Sequence, residues 1–259
     1  MDLGLDGRRA LVLGASRGLG ASIAQVLAQE GASVVAGSRS GTADWTSGLA
    51  AEAAGRIRAI AVDLVDRSRT SAAIAAVLSE GPIDILVNNS GGPPPGPIAA
   101  VEPGGWDRHF ADMATSLFEA TRLVLPQMRE RGWGRIVTIA SSGVEQPIPN
   151  LGISNTVRAA IVGWSKTLSN EVAADGVTVN VVLPGRIHTR RVDELDAAAA
   201  LRGNETVEAV AKASAAAIPV GRYGTPAEFA DVVAFLCSVR ASYVTGSRIR
   251  VDGGTIRAI

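Results

Sequence analysis

With a single cysteine, Cys237, the 259-residue chain can build no internal disulfide framework. That thiol lies in the apolar segment Val232 to Cys237, where a buried, inert sulfur is expected. Charge of either sign is not in excess: 25 Lys and Arg balance 25 Asp and Glu. No basic block occurs, so the electrostatic footprint that nucleic acid or an anionic membrane requires is missing. The first residues, Met1 to Asp6, have neither the basic nor the apolar region of a signal peptide. No uncharged apolar stretch is long enough to span a bilayer. Polar linkers, low-complexity tracts and internal repeats are also lacking, which favours one domain over residues 1–259 with a sizeable core. Together these absences point to a cytoplasmic protein acting on small molecules, with no nucleic-acid or membrane partner and no metal.

What is present is organised around residues 10–20. The apolar run Ala10 to Leu13 has β character, Gly14, Gly18 and Gly20 make a tight turn, and Ile23, Val26 and Leu27 then recur at helical spacing. Strand, turn and helix in that order let backbone approach a pyrophosphate, whose charge meets unpaired N–H groups at the helix start. Ser16, Arg17 and Leu19 complete the turn. Residues 32–37 read as a second strand, closing a βαβ unit of about thirty residues. At its end stand Ser38 and Arg39, where an NAD site would place an acidic residue. An arginine there, with Arg17 as a second cation, suits a 2′-phosphate, so NADP(H) is expected over NAD(H). Two solvated arginines are the alternative.

Further strands are expected at 57–62, 83–87, 135–140, 177–183 and 248–251, with helices through Ile74 and Val77, from about Pro103 to Arg131, from about Ser154 to Val172, and through Phe229 and Leu236. Alternating strands and helices of this kind predict a doubly wound, Rossmann-type parallel sheet with helices on both faces. Asp63 and Leu64 follow the third strand on the ligand-binding edge; Asp63 meets an adenine there or caps the next helix. Asn88, Asn89, Ser90 and Gly91 follow the fourth strand, and Pro93, Pro94, Pro95 and Pro97 stiffen the loop beyond. The alanine-rich segment at about 186–219, with one or two short helices, is expected to cover a pocket.

In order and spacing these residues resemble the short-chain dehydrogenase/reductase family, particularly its 3-oxoacyl-carrier-protein-reductase-like branch, from about Gly7 to Thr255. The resemblance rests on Gly14-x3-Gly18-x-Gly20, Asn88-Asn89-Ser90-Gly91 in place of the family's Asn-Asn-Ala-Gly, and Ser141 after the fifth strand. It rests also on Pro184-Gly185 with Thr189 behind, and on Val244-Thr245-Gly246 leading to Val251-Asp252-Gly253-Gly254. It implies a homo-oligomer, commonly a tetramer packed through the two long helices. For the cofactor it implies contacts from the glycine turn, Asp63, Leu64, Asn89, Gly91, Pro184, Gly185, Ile187 and Thr189.

The match breaks where the family does its chemistry. Thirteen residues beyond the active-site serine the family has tyrosine, and four further on lysine; counting from Ser141 gives Ser154 and Arg158. The family's helix asparagine, counted from Trp106, falls on Met113. A tyrosine beside lysine donates a proton because the cation lowers its pKa from near 10. An aliphatic hydroxyl is a much weaker acid, and an arginine keeps its proton. Three accounts follow. Hydride transfer persists but to a conjugated alkene, with Ser141, Ser154 and Arg158 stabilising the remote oxygen. Or a carbonyl is reduced with another donor, such as His188 or His109. Or the nucleotide site serves binding, sensing or a non-redox reaction. Arg158 is placed to hold the nicotinamide ribose or a substrate carboxylate; a capping Ser154 and a solvated Arg158 are the bland alternative. Arg186, Arg190 and Arg191 point to an anionic substrate or are solvated charge.

Overall fold

Residues 2–259 are described by a computed structural model. Seven parallel strands form one sheet in the order β3-β2-β1-β4-β5-β6-β7: β1 Arg9–Leu13, β2 Ser33–Ser38, β3 Ile57–Ala61, β4 Ile85–Asn88, β5 Gly134–Ile139, β6 Val177–Pro184 and β7 Arg248–Val251. The helices are α1 Gly18–Gln29, α2 Ala51–Gly55, α3 Arg67–Glu80, α4 Pro103–Phe110, α5 Ser116–Glu130, α6 Gly152–Val172, α7 Arg190–Gly203, α8 Val207–Ala216 and α9 Pro226–Cys237. The doubly wound reading is therefore correct, and every expected strand is present within a residue or two of its expected limits.

Strand pleating sorts the apolar residues onto two faces. Ala10 and Val12 of β1 join Ile23 and Leu27 of α1 and Phe229, Val233 and Leu236 of α9 in one buried layer. Leu11 and Leu13 of the same strand join Ile74 of α3, Leu117 and Val124 of α5, and Val157 and Ile161 of α6 in the other. Cys237 is fully buried, and burial pushes its thiol up to about 12, the inert state expected.

Three local readings change. The long helix expected from Pro103 to Arg131 is α4 and α5 joined through Ala111–Thr115, which takes the wider i to i+5 bonding; the continuous apolar pattern gives no sign of it. Asp63 does not cap α3. Asp66 does, its Oδ1 accepting from the Arg69 N–H at 3.0 Å, because the helix begins one turn later than a cap at Asp63 requires. Ser154 is no cap either: α6 begins at Gly152 after Leu151, so Ser154 lies inside the helix and is buried. The segment 186–219 folds largely as α7 and α8. No helix among the described residues is long and apolar enough to cross a membrane.

Candidate active site

The sheet order reverses between β1 and β4, and the residues following these strands meet there. Gly14 has φ 65°, and a Cβ on it would stand 2.6 Å from the Asn89 carbonyl oxygen and 2.7 Å from Asn89 Nδ2. A Cβ on Gly20 would run into the Gly14 carbonyl. Only glycine lets these strands close, and Asn89 Nδ2 donates across the gap to the Gly14 carbonyl at 3.2 Å. Arg17 precedes α1 without a capping side-chain bond, leaving the first-turn N–H groups open to an anion. Trp45, in a segment whose sequence has no regular period, steadies the turn: its indole N–H donates to the Ala15 carbonyl at 2.9 Å.

Leu13 pairs with Gly37 in register, so Arg17 and Arg39 follow neighbouring strand ends. Ser16, Arg17 and Arg39 are exposed and Leu19 is half-buried; neither arginine ion-pairs within the described residues. Ser38 is buried, with its hydroxyl 3.2 Å from that of Ser40. On the next strand end, Asp63 Oδ1 accepts from the Val65 N–H at 3.2 Å, beside a half-buried Leu64. Past β6, the Gly185 N–H donates to the Val251 carbonyl at 2.9 Å, and a Cβ on Gly185 would lie 2.6 Å from Asp252 Cα. The turn at Pro184-Gly185 thus sends Ile187 into the core and brings Thr189 over the glycine turn, its Cγ2 3.6 Å from where a Gly18 side chain would begin.

Ser141, Ser154 and Arg158 are brought together where β5 ends. The Arg158 guanidinium donates to the Ile139 carbonyl at 2.8 Å, two residues before Ser141, and to the Ser90 and Gly91 carbonyls at 3.5 Å. Ser154 lies one turn earlier on the same face of α6. Its neighbour Asn155 bonds the Ile148 backbone at 3.3 and 3.0 Å, holding the start of α6 against the loop after Ser141. Ser141 Oγ accepts from the Gly143 N–H at 3.0 Å, which leaves its hydroxyl proton free to point elsewhere. Ser154 is buried, and the buried Ser90 hydroxyl has no protein partner among the described residues. Arg158 is 8% exposed, no carboxylate pairs with it among those residues, and burial followed by the nearby Arg191 charge pushes its pKa down to about 10. It remains a cation at neutral pH, and the solvated-arginine alternative is excluded.

Of the alternative donors, His109 is half-buried on α4, and the others are engaged or exposed. Tyr223 donates to the Asp196 carboxylate at 2.8 Å, and burial first, with that carboxylate, raises its pKa. Tyr243 is fully exposed. His188 is also exposed, with Nε2 3.7 Å from Asp193. A cavity of about 300 Å³ between α6 and the β6–β7 edge, lined by Lys166, Val179 and Gly246, lies toward the opposite ends of the strands and holds none of these donors.

The family model described as enoyl-(acyl carrier protein) reductase matches residues 14–255. The 3-oxoacyl-(acyl-carrier-protein) reductase FabG of Vibrio cholerae is 35% identical over 257 residues, covering 97% of this chain and 98% of that protein. Among solved structures, L-sorbose reductase from Gluconobacter frateurii, complexed with NADPH and L-sorbose, superposes with a TM-score of 0.90 at 32% identity over 100% of both chains. YwfH, an NADPH-dependent reductase involved in bacilysin biosynthesis, gives 0.89 at 28% identity, covering 97% of this chain and 99% of its own.

Proposed function

Because the chain belongs to the short-chain dehydrogenase/reductase family, we propose that it is an NADP(H)-dependent oxidoreductase acting on a small conjugated enone without a catalytic tyrosine. The observation that carries this reading is the Arg158 cation with no carboxylate partner, held on three carbonyls beside Ser141, whose hydroxyl proton is free, and one turn from the buried Ser154.

The cradle fits the cofactor. Gly14 and Gly20 let the turn close tightly, Gly18 has nothing nearer than 3.6 Å to an added Cβ, and the open N-terminus of α1 suits a diphosphate. Ser16, Leu19 and Thr189 would line it, Asp63 and Leu64 would flank the adenine, and Asn89, Gly91, Pro184, Gly185 and Ile187 would frame the nicotinamide end. Arg17 and Arg39 would hold the 2′-phosphate, supporting NADP(H) over NAD(H). Arg39→Ala is expected to weaken NADPH about 10- to 100-fold, the worth of one charge-assisted bond, with NADH binding unchanged. Fluorescence titration with both nucleotides checks it.

When bound, NADPH supplies the hydride. Arg158, Ser141 and Ser154 are proposed to donate hydrogen bonds to the substrate oxygen on which charge develops, while a proton from water completes the saturated carbon. These groups steady an oxyanion well; as proton donors to an alkoxide they are poor. That difference favours C=C over C=O reduction. The segment 186–219 would cover the site, and the family resemblance supports a homo-oligomer packed through α5 and α6, where Phe118 stacks on Trp164 at 4.3 Å and Phe110 remains 40% exposed.

The test uses deuterated NADPH with 4-oxopent-2-enoate. Deuterium on a former alkene carbon is the expected result. Label on a carbinol carbon instead aligns the protein with carbonyl reducers and overturns the enone assignment.

A further inference from the structure

The segment between β6 and α8 carries Arg186, Arg190 and Arg191, and the structure separates them by their partners. Arg186 pairs with the buried Asp196, which also accepts from Tyr223. Arg190 pairs with Glu194 at 3.2 Å on the outside of α7. Arg191 is different: its nearest carboxylate is Glu194 at 3.9 Å, and its Nη2 reaches across to the Pro93 carbonyl at 2.7 Å. A Cβ on Gly92 would stand 3.3 Å from that same nitrogen.

Arg158 and Arg191 therefore bracket one short loop. Arg158 holds the carbonyls of Ser90 and Gly91 from the α6 side, and Arg191 lies along Gly92 and Pro93 from the α7 side. Two like charges share this region, and the first has no carboxylate among the described residues. Like charges gathered at a partly desolvated site repel each other unless an anion joins them. Planar guanidinium forks suit the two oxygens of a carboxylate.

We propose that Arg191 binds a carboxylate of the substrate, with the charge of the nearby Arg158 adding to the positive field there, so that the protein selects an anionic enone over its neutral counterpart. This rests on the reductase reading above. Arg191 is then a specificity-determining residue that also joins the segment 186–219 to the proline-rich loop. The loop after β4 adjoins the glycine turn through Asn89, so the titration has to separate a substrate carboxylate from the cofactor phosphates.

The experiment is calorimetric titration of the NADP⁺-saturated protein with 4-oxopentanoate and with its methyl ester. NADP⁺ has no hydride to give, and desaturation of either saturated probe by NADP⁺ is strongly uphill, so binding alone is read. The acid is expected to bind at least about tenfold more tightly than the ester, and Arg191→Ala to weaken the acid by about 10- to 100-fold while leaving the ester and NADP⁺ affinities unchanged. Arg191→Lys should recover part of the loss, keeping the charge without the fork. Equal binding of acid and ester, no binding of the acid at millimolar concentration, or a parallel loss of NADP⁺ binding in Arg191→Ala each overturns the proposal. Failure of the wild-type protein to bind NADP⁺ in the preceding titration sinks the reductase reading, and this inference with it.

Discussion

Arg158→Met is expected to raise the melting temperature while lowering kcat by about 10²- to 10³-fold, the usual loss on removing one donor to a developing oxyanion. The opposite signs have one origin. Burial, reinforced by Arg191, takes the guanidinium well below its ordinary value, to about 10, so keeping it charged costs on the order of 3 kcal/mol. Its bonds to Ile139, Ser90 and Gly91 offset part of that, and methionine of similar length restores packing without the charge. A net gain of about 1–2 kcal/mol, or roughly 3–6 °C for a domain of this size, follows. The pH dependence has a definite sign. The folded pKa lies below the unfolded one, so the penalty is fully present below pH about 10 and disappears as pH rises from there toward the unfolded value. The stability advantage of Arg158→Met should shrink over that window, and wild-type turnover should fall there as the cation is lost. Thermal melts and pH–rate profiles of both proteins measure this. A variant that melts lower and keeps its turnover would show Arg158 to be structural.

Much of this site is legible in the sequence because it is local. Gly14, Gly18 and Gly20 stand between a run of strand period and a run of helical period, and each does what its position requires: two adopt positive φ and one lies under a carbonyl. Ser154 and Arg158, four residues apart, have to share a helix face. What the sequence does not disclose depends on distant chain. The burial of Arg158 is set by carbonyls 19, 67 and 68 residues away, and no periodicity distinguishes it from a solvated arginine. Arg186, Arg190 and Arg191 look equivalent until Asp196 takes the first and Glu194 sits closer to the second, at 3.2 Å, than to the third, at 3.9 Å. Trp45 gave no signal, since its segment is short and aperiodic and its one polar bond crosses thirty residues to Ala15. The choice of Asp66 over Asp63 as cap turned on where α3 starts, a boundary that propensity places only to within a turn.

Restoring a proton donor should change the reaction. The double variant Ser154→Tyr with Arg158→Lys is expected to gain about 10²- to 10⁴-fold in ketone reduction, the range one positioned general acid supplies. The argument is geometric before it is chemical. Ser154 is buried inside α6, on the face that Arg158 also occupies and beside the loop that carries Ser141. A phenol built there extends toward the same space, and a lysine one turn later would lower its pKa as a hydroxyl on a serine cannot be lowered. The added ring has to displace whatever occupies that space, so Ser154→Tyr alone is the companion: Arg158 still supplies a positive charge, and a smaller gain is expected. Ketone turnover by NADPH oxidation is the measurement, with circular dichroism and NADPH titration showing that each variant folds and binds. In both, activity should depend on pH as the phenol titrates, a dependence the parent lacks near neutrality. Folded, cofactor-binding variants with no gain would mean that these two positions on α6 do not face the reacting carbon, and the oxyanion role of Ser154 and Arg158 would fall together.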